Sequence, residues 1–291
     1  DNFNDFYDPA IKRQNTSPFV ENHRVTVVEG DICDVEAVRQ LFVKCRFSHV
    51  VHLAAYAGVR ASMADPIRYE QTNVGGTLAL LEAARQFPVE RFLLISSSTV
   101  YGRSAVAPFA EDAPLGRPLS PYGASKRAAE TFGMMYFQLY NVPIVCLRPF
   151  SVYGPRLRPD LVLSIWTEAI ATGQPLPLFG DGSVRRDFTH VGDICGGMLA
   201  ALERPNLAGE AINLGHDQPM ELQKVITTLE RMLGAKAVID CQPEKPGEMP
   251  LTHADLSKAR RLLGYEPRVS FDEGMRDFVE WYRQRSWERT G

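Results

Sequence analysis

The sequence predicts an α/β fold, a parallel sheet with helices on both faces, and three observations predict it. Strand-like apolar runs alternate with helix-patterned stretches up to Arg148, as they do in successive βαβ units. The run Phe92-Leu93-Leu94-Ile95 is continuously apolar, as a strand buried on both faces is, and it ends in Ser96-Ser97-Ser98. Past a loop rich in proline and glycine, Tyr122 and Lys126 stand four residues apart in a helical stretch and so share one helix face.

The elements follow in order. Residues 25–29 read as a strand ending at Gly30-Asp31, and residues 35–44 as a helix. Residues 48–53 form the next strand, with His52 a packed residue at its end. A helix over about residues 72–86 carries Ala79, Leu80, Ala83 and Ala84 on its apolar face. The serine strand, the Tyr–Lys helix and a strand over residues 142–147 complete this region. After Arg148-Pro149, Pro and Gly become frequent through Gly154-Pro155, Pro175, Pro177, Gly180 and Gly182, which fits a loop-rich lobe closing over a ligand. The chain is expected to return to the main sheet through residues 188–201 and 211–214, and residues from 220 onward to supply helices to the small lobe. The expected division is therefore 1–152 with 187–215 for the main domain, and 153–186 with 216–291 for a smaller interleaved lobe.

Composition narrows the classes. A chain of 291 residues with 45% hydrophobic and 23% charged content can bury a full core. A formal charge of −3 gives no electrostatic case for nucleic acid, and no apolar run reaches bilayer length, so neither a nucleic-acid nor a membrane partner is expected. No secretory segment is visible. The five cysteines are scattered and odd in number, which suggests thiols in a reducing cytoplasm, and the six histidines form no close ligand pair, so no metal is expected.

The Tyr–Lys pair carries the chemistry. A free phenol ionises near pH 10, too high to accept a sugar hydroxyl proton at neutral pH. One cation about 5 Å away, at an effective dielectric of about 20, contributes about 3 kcal/mol, which lowers the phenol by roughly 2 pH units. Tyr122 beside Lys126 thus reads as a general base for oxidising an alcohol. The serines fall where open parallel sheets bind ligands, at a strand's C-terminal end. A dinucleotide-binding sheet opens with a strand, a glycine-rich phosphate loop and a helix, and the sequence holds none before Asp1-Asn2-Phe3-Asn4, which reads as the end of a second strand. A first βα unit of roughly 30 residues is expected to precede it. A molecule beginning at Asp1 would bind a dinucleotide poorly.

These features resemble the extended short-chain dehydrogenase/reductase family, and within it the nucleotide-sugar epimerases, most of all the UDP-glucuronate 4-epimerases. The likeness is carried by Asp1-Asn2-Phe3-Asn4-Asp5-Phe6-Tyr7-Asp8-Pro9, His52-Leu53-Ala54-Ala55-Tyr56-Ala57-Gly58-Val59-Arg60, Arg148-Pro149-Phe150-Ser151-Val152-Tyr153-Gly154-Pro155 and the stretch from Phe179 to Phe188. It implies a Rossmann-type doubly wound sheet and a tightly bound NAD that takes and returns the C4 hydride of a UDP-sugar. Asp1 and Asn2 would contact the adenosine ribose, Asp31 and Ile32 the adenine, Leu53, Ala54 and Ala55 the cofactor, and Pro149 the nicotinamide. Ser97 would assist Tyr122, and Lys126 would bind the nicotinamide ribose. Arg186 would clamp the diphosphate and Phe179 pack near the uracil. A second diphosphate arginine is common in the family's C-terminal lobe, where this sequence offers Lys245.

A 4-keto uronic acid is a β-keto acid, so an epimerase must hold the C5 carboxylate where CO₂ loss is poorly aligned. Ser98, Ser151, Arg60 and Arg158 are the candidates for that grip. A 4,6-dehydratase needs an acid/base pair after the catalytic hydroxyl, where Ser98 and Thr99 stand. A UDP-glucuronate decarboxylase usually carries Glu where Thr99 stands. A UDP-glucose/UDP-galactose 4-epimerase remains an enzymatic alternative, and an NAD-sensing or scaffold protein a non-enzymatic one. The helices near residues 72–86 and 121–140 correspond to those that pair as a four-helix bundle in related homodimers.

Overall fold

The computed structural model describes residues 1–103, 106–244, 247 and 249–290, with 286–290 by backbone alone. Its central sheet contains β1 (His49–His52), β2 (Arg91–Ile95), β3 (Ile144–Pro149) and β8 (Ala211–Leu214), all parallel, in the order β1-β2-β3-β8. Short two-stranded sheets join β4 (Ser151–Tyr153) to β7 (Phe188–His190), β5 (Pro175–Phe179) to β10 (Val238–Gln242), and β6 (Arg185–Arg186) to β9 (Met220–Glu221).

Alternation along the central strands decides which helices cover which face. Phe92, Leu94, Ile144 and Cys146 pack with Val38 and Phe42 of α2 (Val35–Cys45), Leu81 of α5 (Thr77–Gln86) and Tyr136 of α6 (Pro121–Tyr140). Leu93, Ile95, Val145 and Leu147 pack the other way, against Ile194 and Ala201 of α8 (Val191–Glu203) and Ala259 and Leu263 of α10 (Ser257–Leu263). Helices on both faces of a parallel sheet make this an α/β, doubly wound Rossmann-type fold. A separate apolar cluster joins Trp166 of α7 (Val162–Thr172), Leu176 and Leu178 of β5, Val225 and Leu229 of α9 (Leu222–Leu233), and Phe278 of α11 (Phe271–Thr290). Residues 216–291, expected in the small lobe, therefore divide: α9 and α11 pack there, while residues 254–265 pack on the main sheet.

Three elements differ from expectation. Residues 25–29 carry no regular secondary structure and form no ladder; Val25, Val27 and Val28 are exposed. Their strand-like pairing is confined to Asp1, whose amino group donates to the Val28 carbonyl at 3.3 Å and whose carbonyl accepts from Gly30 N–H at 3.1 Å. Residues 188–201 return to the central sheet only through α8, which packs on its face, while residues 188–190 form a strand outside it. Beyond β3 the chain peels away at Phe150, and Ser151 N–H donates to the Asp187 carbonyl at 2.9 Å, so β7 pairs with β4 before α8 begins. The buried Asp187 carboxylate fastens this departure by accepting from the N–H groups of His216 (2.7 Å), Asp217 (3.2 Å) and Ala254 (2.9 Å). Finally, the helix expected over 72–86 starts as a π-helical turn, Gln71–Gly76. There Ile32 lies so close that a Cβ on Gly76 would stand 2.5 Å from its Cδ1, so a larger residue would require the Ile32 side chain to shift.

Candidate active site

The catalytic helix begins where its sequence says it must. Ser120 accepts from Gly123 N–H at 3.1 Å as N-cap, and Pro121 occupies the first turn, where a missing N–H costs nothing. This start fixes Tyr122 one turn above Lys126. Opposite, β2 ends at Ile95, and Ser97 caps the 3₁₀ turn Ser98–Tyr101 by accepting from Thr99 N–H at 3.2 Å and Thr99 Oγ1 at 3.0 Å. Ser97 also acts on the Tyr122 phenol, favouring its ionised form. Ser97, Ser98 and Lys126 are buried and Tyr122 is half-buried.

The electrostatics correct one expectation. The Tyr122 phenol is pushed up from its ordinary value by burial, and the opposing influences are the Ser97 hydrogen bond and the Arg158 charge. The spacing argument counted the attraction of Lys126 and omitted desolvation, which dominates. Lys126 donates from Nζ to the Ile95 carbonyl at 2.6 Å, and burial brings its ammonium down to about 8. Glu130, four residues on, counteracts that fall.

Arg158 is held by Asp160 at 3.0 and 2.8 Å and reaches the Ala57 carbonyl at 3.5 Å. Arg60 sits elsewhere: its guanidinium lies 4.1 Å from the centroid of Phe179 on β5. Arg186 is half-buried and donates to the Met249 carbonyl at 2.6 Å. Ser151 is half-buried on β4, and Lys245 lies outside the described residues.

The residues expected to hold a dinucleotide line the C-terminal edge of the sheet. Leu53, just past β1, is 60% exposed although apolar, and Ala54 beside it is exposed. Asp31 accepts from the Asn2 side chain and Cys33 N–H, both at 2.8 Å, and the backbone bond leads in holding its carboxyl below the usual range. The buried Ser96 hydroxyl at the end of β2 has no protein partner. An open apolar strand end, an ordered carboxylate and an unpaired buried hydroxyl fit a dinucleotide laid across this edge.

Sequence reasoning missed two residues. Asn73 is 1% exposed in the π-helical turn; its Oδ1 accepts from Tyr56 N–H at 2.8 Å, and its Nδ2 donates to the Tyr56 carbonyl and Ser125 Oγ, both at 2.9 Å. It ties the loop after β1 to the catalytic helix. The signal was an asparagine in an apolar helix pattern, directly before Val74-Gly75-Gly76. Tyr69 of α4 (Pro66–Glu70) presents its ring edge to Tyr122 at 6.2 Å between centroids and donates to the Ala57 carbonyl at 3.0 Å.

Residues 2–278 match the family model described as GDP-mannose 4,6 dehydratase. The chain belongs to this family. The GDP-mannose 4,6 dehydratase family falls within the extended short-chain dehydrogenases/reductases, and its members here include epimerases. A UDP-glucuronate 4-epimerase of Thermodesulfobacterium geofontis is 38% identical over 98% of this chain and 87% of its own length. The UDP-glucuronic acid 4-epimerase of Bacillus cereus, solved with UDP-glucuronic acid and NAD, superposes with a TM-score of 0.93 at 36% identity, covering 98% of this chain and 90% of that one. The Thermus thermophilus UDP-glucose 4-epimerase, solved with NAD, gives 0.84 at 32% identity over 90% and 86%.

Proposed function

We propose that this chain interconverts UDP-glucuronate and UDP-galacturonate by NAD-dependent epimerisation at C4, through a 4-keto sugar. The observation that carries this reading is a phenol, Tyr122, whose ionised form both Ser97 and the Arg158 cation favour, with Ser98 and Thr99 where dehydration would need acids. Tyr122 takes the 4-hydroxyl proton, Ser97 supports the phenolate by its hydrogen bond, and the Lys126 charge favours that ionised form. NAD, when bound, supplies a hydride acceptor and donor. Asp1, Asn2, Asp31, Ile32, Leu53, Ala54, Ala55 and Pro149 would hold it, with Lys126 at the nicotinamide ribose.

Arg158, Ser98 and Ser151 grip the uronate carboxylate and keep the C5 carboxylate bond out of line with the ketone. Arg186 clamps the diphosphate and Phe179 stacks near the uracil. The Arg60 stack on Phe179 supports a role for Arg60 at the nucleotide end rather than at the carboxylate. The substrate lobe comprises residues 153–186 with α9 and α11. Two copies pair through α5 and α6, a reading supported by the exposed Leu139 and Tyr140 at the end of α6. Five cysteines present as free thiols suit a reducing cytoplasm.

The test supplies the full-length protein with UDP-glucuronate and UDP-glucose separately and resolves products by NMR. UDP-galacturonate from the first is expected. Conversion of UDP-glucose alone overturns the uronate assignment, and a pentose product with CO₂ would mark a decarboxylase.

A further inference from the structure

Three arginines gather around a cleft on the far side of the catalytic helix. The cleft begins at a backbone crossing just past the 3₁₀ turn that Ser97 caps. The Tyr101 carbonyl accepts from Gly116 N–H and the Arg117 carbonyl from Arg103 N–H, both at 2.8 Å, so Arg103 and Arg117 are antiparallel partners. The crossing is tight: a Cβ on Gly116 would overlap the Arg103 carbonyl, so glycine alone lets the two segments meet. Arg127 of α6 joins them, its Nη1 donating to the Gly116 carbonyl at 2.7 Å. All three arginines line a cleft of about 600 Å³, closed by Leu115, Gly116 and Pro118.

The charges are out of keeping with the rest of the chain. Like charges directly opposite one another on paired segments repel. With 35 acidic residues against 32 basic ones, the chain has carboxylates to spare. Yet among the described residues no carboxylate pairs with Arg103, Arg117 or Arg127. The acids nearest in sequence are turned elsewhere. Glu130, one turn along α6 from Arg127, accepts from Arg148 at 2.9 and 2.8 Å, and Glu111, in the loop before Arg117, accepts from Asn213 N–H at 2.7 Å. Arg103 and Arg117 are exposed and Arg127 half-buried. A repulsion left uncompensated within the fold, at the wall of a cleft, marks a place where an outside group supplies the missing negative charge.

We propose that this cleft binds a small molecule carrying two phosphate groups. Each guanidinium can bond two phosphate oxygens at once, and three of them outnumber what a single phosphate needs. The volume is that of a small-molecule site, and the negative net charge of the chain disfavours a polynucleotide. The cleft is separate from the catalytic crevice. Arg127 follows Lys126 directly, but successive helical residues point about 100° apart. Lys126 accordingly bonds the Ile95 carbonyl while Arg127 bonds that of Gly116. None of the lining residues belongs to the proposed UDP-sugar site, so this inference stands whether or not that reaction is correct.

Calorimetry on the full-length protein at fixed, low ionic strength tests it, with pyrophosphate and fructose 1,6-bisphosphate as separate probes. Tighter binding of the first marks an inorganic ligand, and tighter binding of the second a sugar phosphate. In either case Arg127→Gln and the double variant Arg103→Gln/Arg117→Gln should each weaken binding by about tenfold or more, through loss of charge-assisted bonds. Arg186→Gln, at the proposed nucleotide end, should change it by less than about twofold, since the two places share no residue. The exposed double variant keeps the test open should Arg127→Gln fail to fold. Its melting temperature without ligand should hold or rise, because a repulsion has been removed, whereas arginines kept for structure would lower it. Binding of neither probe at millimolar concentration overturns the proposal. So does binding that persists in the double variant, or that disappears with Arg186→Gln.

Discussion

At the proposed reacting end of the crevice Lys126, Glu130 and Arg148 are each less than a tenth exposed, whereas at the proposed nucleotide end Arg60 is exposed and Arg186 half-buried. The first group is held by bonds to buried partners: the Ile95 carbonyl, a two-point ion pair and the Tyr101 hydroxyl. The second includes the bonds of Arg186 to the Arg185 and Met249 carbonyls and the stack of Arg60 on Phe179 at the rim. Buried charges interact strongly and leave few alternatives, so each residue there sets the protonation of the next. Exposed cations interact through screened fields and contribute separately. The reacting end should therefore respond to substitution steeply and non-additively, and the nucleotide end mildly and additively.

The largest effect is expected at the group proposed to move the proton. Tyr122→Phe removes the hydroxyl and leaves the ring, so packing against Tyr69 persists while turnover falls by about 10³-fold or more. Progress curves under saturating UDP-glucuronate measure this, and melting should show an unchanged fold. A variant turning over at the normal rate would remove the base from the mechanism, and the contrast between the two ends with it.

The two ends were not equally legible. Ser120, Pro121, Tyr122 and Lys126 announce a capped helix with two functional groups on one face, and the structure has that helix. The all-apolar run Phe92–Ile95 likewise becomes a strand buried on both faces. What escaped depends on burial. Glu130 four residues from Lys126 reads in sequence as an ordinary solvated helix pair, and only its pairing with Arg148 inside the protein gives it weight. The same omission reversed the shift of Tyr122, because spacing supplies an attraction but no desolvation. Residues 25–29 have the composition of a strand, but a ladder needs a neighbour offering successive N–H and C=O groups, and Asp1 offers one of each. Arg60 lay in a motif shared with cofactor-lining residues, and nothing in its spacing pointed to Phe179, well over a hundred residues away in sequence.

A second, smaller effect comes from His52, which the reacting end keeps neutral. Thr77 Oγ1 donates to the Asn73 carbonyl at 2.6 Å, so in its 2.8 Å contact with His52 it accepts, and Nε2 carries the ring proton. Burial and the Lys126 charge depress this imidazole from 6.5 to about 3. Since the folded chain refuses a proton that the unfolded chain accepts, the stability is fully present above pH 6.5 and is lost as pH falls from there toward about 3. Thermal melts across that window should fall more steeply for the native protein than for His52→Gln, which retains a donor for Thr77. Parallel slopes would mean that the reacting end tolerates a new buried charge, against the picture of tightly coupled groups.

The smallest effect tests the other end. Arg60 gains from its stack on Phe179 the modest attraction of an exposed cation–π contact, roughly 0.5–1 kcal/mol, and lies where a nucleotide would bring negative charge. Arg60→Ala should raise KM for UDP-glucuronate about three- to tenfold with kcat nearly unchanged, because it removes binding felt equally by ground and transition states. The loss should shrink with added salt, as screening predicts for a solvent-facing charge. The same substitution should weaken binding of UDP itself by a similar factor, measurable by calorimetry, since UDP carries the diphosphate and base but no uronate. If UDP binding is untouched while carbon dioxide release from UDP-glucuronate rises, Arg60 grips the carboxylate after all. Its charge would then have to be counted with Arg158 at the reacting end.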